Sequence, residues 1–171
     1  MKLRLLLFED CHRNCAGCCN KDWNLGTLPI CDSFTGYEEI LLTGGEPMLS
    51  PRLVHDVITD IREETSLEQD QPQIYLYTAD VRRLADIIEL LDRLDGITVT
   101  LHSQNDVLPW IRLADIVATN GMCVRKSLRL NVFDGVVLEE TKATKYWKIK
   151  SGMRWITNCP LPENEIFMRL M

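Results

Sequence analysis

No apolar run in the sequence reaches the roughly 18 residues that a membrane-spanning helix needs, and the expectation is a chain with no membrane span and no membrane partner. The opening Met1-Lys2-Leu3-Arg4 leads into only four apolar residues, too few for a secretory leader, and the expectation is a cytoplasmic protein. Internal repeats and low-complexity tracts are also missing, so a solenoid or a disordered array is excluded. Length is short as well. A chain of 171 residues, 46% of them hydrophobic, is one domain's worth with a real core. It falls short of a full eight-unit βα barrel, which takes about 250 residues.

Positive charge is scarce in the first part of the chain. Residues 1–119 carry 10 basic and 20 acidic side chains against 9 and 5 in residues 120–171, so a net −6 divides into −10 and +4. The basic tail is the face for an acidic partner or a phosphorylated ligand, or it docks on the acidic body. Lys142, Lys145, Lys148, Lys150 and Arg154 interleave there with Tyr146, Trp147 and Trp155, which resembles a cationic groove with stacking platforms. A pI near 5.1, and an alternation that fits the outer face of an ordinary hairpin, argue against nucleic acid.

Cysteine, by contrast, is plentiful. Seven cysteines in a reducing compartment argue for metal binding or free buried thiols rather than a disulfide frame. Cys11, Cys15 and Cys18 lie in one stretch, Cys11-His12-Arg13-Asn14-Cys15-Ala16-Gly17-Cys18-Cys19-Asn20-Lys21-Asp22-Trp23, just after a short apolar run. Gaps of three and two residues let a tight loop turn the three thiols to one centre. A closed zinc site or a conventional iron–sulfur cluster wants four ligands, so three leave one iron open to a chelating small molecule. The rival is a zinc site completed by His12 or Cys19. Cys19, Cys31, Cys123 and Cys159 are scattered without a paired short spacing and read as buried thiols rather than a second cluster.

A second stretch, Glu39-Ile40-Leu41-Leu42-Thr43-Gly44-Gly45-Glu46-Pro47, ends a buried-looking strand in two glycines, a carboxylate and a proline. Bare glycine lets backbone approach a ligand closely, although a strand-to-helix turn needs glycine too. Together the two stretches resemble the radical S-adenosylmethionine (SAM) superfamily, whose signature is a Cys-x3-Cys-x2-Cys loop after the first strand and Gly-Gly-Glu-Pro at the end of the second. Gly17-Cys18, Asn20-Lys21 and Trp23 make the loop most similar to the small activases that install a glycyl radical in anaerobic ribonucleotide reductase. The likeness covers the first 50 residues well and the remainder only by strand order.

That resemblance implies a 4Fe-4S cluster on Cys11, Cys15 and Cys18, with SAM held by Gly44, Gly45, Glu46 and Pro47. It implies reductive cleavage of SAM to a 5′-deoxyadenosyl radical, fed by an external flavodoxin-like or ferredoxin-like donor. A glycyl-radical protein is the implied partner. Small molecules such as a nucleotide or deazapurine precursor are the alternative substrates, and a non-enzymatic iron–sulfur or zinc module is the remaining reading. Trp23 is expected over the adenine or over the cluster loop. Thr78, His102 and Ser103 fall at strand carboxyl ends, where ligands bind in open parallel sheets, and are weaker candidates for ribose or carboxylate contact. A lone hydroxyl or imidazole in such a place is more often a helix cap or a local hydrogen bond.

Taken in order, strands are expected at Leu3–Phe8, Ile40–Thr43, Ile74–Tyr77, Ile97–Leu101 and Asp115–Ala118. Helices are expected from Pro51, from Asp80, and over 106–113, the last strained by Pro109. Asp134-Gly135 and Ser151-Gly152 predict hairpins, Leu128–Phe133 with Val136–Leu138 and Tyr146–Lys150 with Met153–Thr157. The expected fold is therefore α/β: an incomplete βα barrel or open parallel sheet of about five or six strands over residues 1–119. Residues 120–171 would add a basic, antiparallel β-rich tail to the same domain.

Overall fold

The computed structural model describes residues 1–171 and is α/β, with an open parallel seven-stranded sheet and three α-helices. In chain order the elements are β1 (Lys2–Leu6), β2 (Glu39–Thr43), α1 (Pro51–Glu64), β3 (Gln73–Thr78), α2 (Leu84–Arg93), β4 (Gly96–Leu101), α3 (Val107–Thr119), β5 (Ser127–Phe133), β6 (Lys148–Met153) and β7 (Glu165–Arg169). The sheet does not close into a barrel, because β6 and β7 each pair along one side only. Two compact units divide the chain: residues 1–75 with 155–171, and residues 76–154.

In the first unit β1 is central, paired in parallel with β2 on one side and β7 on the other. Leu3, Leu5, Ile40 and Leu42 are wholly buried, as in a strand covered on both faces. Arg4 breaks the apolar run without penalty, since its guanidinium donates to Glu165 from Nε (3.0 Å) and Nη2 (2.6 Å). Pro51 occupies the first turn of α1, where no amide hydrogen is needed, and Val54, Val57, Ile58 and Ile61 form its buried stripe. Ser50 stands at the N-cap but its hydroxyl makes no capping bond.

In the second unit β4, β5 and β6 run parallel in that order. The helix expected from Asp80 begins only at Leu84. Asp80 grips Arg82 through both carboxylate oxygens (2.8 and 2.6 Å) and accepts the Arg82 amide hydrogen (3.1 Å), which holds this stretch in a turn. Asp115–Ala118 is not a strand; it continues α3. Pro109 lies in the first turn, where it breaks no backbone bond, and Trp110, Leu113, Ala114 and Val117 are buried at helical spacing.

The tail is strand-rich but parallel, not antiparallel, and both expected hairpins are absent. Asp134-Gly135 does turn the chain, with Gly135 at φ 85° and the Val136 amide donating to Phe133, yet no strand returns along β5. Instead the Gln104 carboxamide pins Val137, donating to its carbonyl (3.0 Å) and accepting from its amide (2.9 Å). Ser151-Gly152 lies inside β6, where Gly152 takes φ 70° and the register to β5 shifts between Asn131 and Phe133. The glycine there serves an irregularity in the strand rather than a turn. The segment beyond Pro162 becomes β7, in register with β1 from Lys2↔Glu165 to Leu6↔Arg169.

Candidate functional site: the cysteine loop

The cysteine loop leaves β1 as an arm of backbone, Leu7 to Asp10, laid against the end of β2. Leu7 donates to Thr43, Gly45 to Phe8 (2.8 Å) and Glu46 to Asp10 (2.9 Å). This contact explains both glycines. A Cβ on Gly45 would collide with the carbonyl groups of Asp10 and Glu9, and one on Gly44 would come within 2.8 Å of the Phe8 oxygen. The close approach that glycine permits is therefore made to the chain's own loop. Asn20 closes the circuit by donating its Nδ2 hydrogen to the Gly44 carbonyl (2.9 Å), and Lys21 Nζ donates to the Cys15 carbonyl (2.9 Å).

Glu46 is 2% exposed and accepts the Met48 amide hydrogen on Oε1 (3.1 Å), capping the single turn Pro47–Leu49. One carboxylate oxygen thus braces the loop backbone, and Pro47 opens that turn from its first position. Trp23 meets Phe167 edge to face at 5.4 Å and packs on Leu6, Leu25 and Phe167. Its ring faces this apolar cluster beneath the loop.

Cys11, Cys15 and Cys18 are free thiols, the first exposed and the others half-buried. Loss of water contact pushes the Cys11 thiol above the ordinary cysteine value; the Arg13 amide partly offsets it, and Glu46, Cys15 and Cys18 add to it. Cys15, Cys18 and Glu46 thus lie near enough to Cys11 to act on its charge. The three thiols are not drawn together as a ligand set, and no other group of three His, Cys, Asp or Glu side chains is either. The donor chemistry suits iron–sulfur: three unpaired soft thiols on one loop, two of them half-buried.

One expectation about the remaining cysteines is overturned. Cys19 and Cys159 are joined in a disulfide across a sequence separation of 140, whereas Cys31 and Cys123 are free. Spacing gave no hint of it, since the partners lie at opposite ends of the chain. Trp155 packs on Gly17, where an added Cβ would sit 2.5 Å from the indole Cβ. Asn20 and Trp155 shape the loop, a role that sequence reasoning gave to neither, since it took Trp155 for a stacking platform of the tail. Asn20 was visible as part of the motif, while only the fold brings Trp155 to the loop.

Thr78, His102 and Ser103 belong to the other unit. Thr78 Oγ1 accepts the Asp80 amide hydrogen (3.0 Å) and donates to the Asp80 carbonyl (3.2 Å), closing a turn. Asp106 Oδ2 accepts from the His102 amide (3.0 Å), the Ser103 amide (2.9 Å) and the Ser103 hydroxyl (3.1 Å). His102 also meets Phe133 edge to face at 4.7 Å. All three residues are engaged in local structure. No helix is long and apolar enough to cross a membrane.

Comparison of the chain with protein-family models, with curated proteins and with solved structures gives no match.

Proposed function

We propose that the chain is a radical SAM enzyme, with Cys11, Cys15 and Cys18 holding a 4Fe-4S cluster and the Gly44–Pro47 turn forming the adjoining SAM seat. The observation that carries this reading is the docking of the three-thiol loop onto the glycine turn, through the Gly45 and Glu46 amides and the Asn20 carboxamide. When bound, the cluster supplies the electron that cleaves SAM to methionine and a 5′-deoxyadenosyl radical. The chain's own work is to position. Lys21 ties down the Cys15 carbonyl, Glu46 fixes the turn, and Trp23 with its apolar neighbours supports the loop from below.

A glycyl-radical protein is the substrate this geometry favours. Cys11 is exposed, and Trp155 on Gly17 of the loop is 40% exposed, so the chain does not itself exclude water from the thiols. Radical chemistry needs that exclusion, and a docked protein would supply it. An external one-electron donor of flavodoxin or ferredoxin type completes the scheme.

Anaerobic purification followed by iron analysis, SAM cleavage and partner capture tests the reading. About four irons per chain are expected, with slow cleavage alone and a large glycyl-radical protein recovered. Cys15→Ala should abolish both cluster assembly and 5′-deoxyadenosine formation. Rapid turnover of a nucleotide or deazapurine precursor without any protein partner would transfer the assignment to the small-molecule class. One zinc per chain, or 5′-deoxyadenosine formation retained in Cys15→Ala, would overturn it.

A further inference from the structure

The loop carries a fourth thiol, Cys19, directly after Cys18, and this inference rests on the iron–sulfur reading. Consecutive Cα atoms lie about 3.8 Å apart, so a loop that delivers Cys18 to a cluster also delivers Cys19 to its vicinity. Four thiolates can satisfy four irons or close a tetrahedral zinc site, whereas SAM chelation needs one iron without a protein ligand. Cys19 is thus a competing ligand built into the site.

We propose that Cys159 is a positioning residue that withdraws Cys19 from the ligand set, leaving Cys11, Cys15 and Cys18 as the three thiolates and one iron free for SAM. The disulfide is seated by a dedicated segment. Asn158 is the chain's one non-glycine residue with positive φ (57°), a conformation asparagine tolerates, and it turns the backbone directly before Cys159. The Cys159 amide donates to the Asp22 carboxylate (3.1 Å), fastening the segment to the same loop. Trp155 lies on Gly17 upstream, and Leu161 packs on the Leu6, Leu25 and Phe167 cluster downstream. A cavity of about 30 Å³ beneath the disulfide is lined by Arg4, Asn20, Trp23 and Thr43 with both half-cystines.

Formation of the pair is an ordinary exchange. The two thiols give two protons and two electrons to a small-molecule disulfide, which leaves as two thiols while the Cys19–Cys159 bond forms. The same exchange run backwards with a dithiol would return Cys19 to the loop.

Three variants separate this role from simple fastening of the tail: Cys159→Ser, Cys19→Ser and the double variant. Each is purified anaerobically without added thiol, photoreduced, and read by iron content and by the change SAM makes in the electron paramagnetic resonance spectrum. Cys159→Ser should keep the wild-type iron content yet lose the SAM-induced change and bind SAM at least tenfold more weakly. Cys19→Ser and the double variant, which have no competing thiol, should bind SAM within twofold of wild type. Equal behaviour of Cys159→Ser and the double variant would overturn the proposal, as would alkylation of both cysteines in the unreduced wild-type protein. Absence of iron from the wild type would instead strike the iron–sulfur reading itself, and this proposal with it.

Discussion

Gly45 shows how much a single missing methyl can matter. Its neighbours are the backbone carbonyls of Glu9 and Asp10, which cannot rotate away as a flexible side chain could. Gly45→Ala should therefore lift the loop arm off β2 and cost about 2–4 kcal/mol, read as a lower urea midpoint. An unchanged midpoint would mean that the arm does not dock where it is described. The glycine pair and the three cysteines were legible in the sequence because each is a local pattern. Why the glycines are needed was not legible, since the colliding atoms belong to a segment 35 residues away, at Asp10. Glu46 is similar: a carboxylate before proline is visible, but its burial and its Met48 partner emerge only on folding.

At the scale of elements, hydrophobic periodicity located β1, β2, β3, β4 and α1, whose buried stripes survive intact in the structure. It failed where one residue was given too much weight. Pro109 suggested a strained, short helix, although a proline in the first turn is harmless and α3 runs on to Thr119. Asp134-Gly135 and Ser151-Gly152 suggested hairpins because dipeptide signals report a backbone conformation, not the direction in which the chain leaves it. Both glycines do have positive φ, at 85° and 70°, but one opens a long crossover and the other sits in an irregular strand. Gly152→Ala should accordingly destabilise β6 by about 1 kcal/mol, through the cost of a left-handed alanine. Chemical denaturation would show it, and a neutral result would remove the positive-φ requirement.

At the scale of the molecule, the Cys19–Cys159 bond closes a span of 140 residues within the first unit. Restricting so long a loop in the unfolded chain is worth about 2–5 kcal/mol in the chain-entropy view. Adding a thiol reductant should lower the urea midpoint of the wild type and leave that of the Cys19→Ser/Cys159→Ser variant where it was. A drop of equal size in both would trace the effect to something other than this bond. Such long-range pairing left no trace in cysteine spacing, which records only neighbours along the chain. The packing of Phe167 and Leu161 with Leu6 and Leu25 left no local trace for the same reason.

The pairing of β7 with β1 also sets an order of events during synthesis. Lys2 to Leu6 acquire their Glu165–Arg169 neighbours only after the ribosome has made every residue of the second unit. Until then Leu6 and Leu25 lack Phe167 as a cover, and the cysteines directly downstream of β1 stand on an unfinished floor. Until Cys159 has been made the loop also lacks its disulfide, and Cys19 is still a thiol. Support for this loop is therefore complete only once translation has passed residue 169, and its final packing is a step for a finished polypeptide.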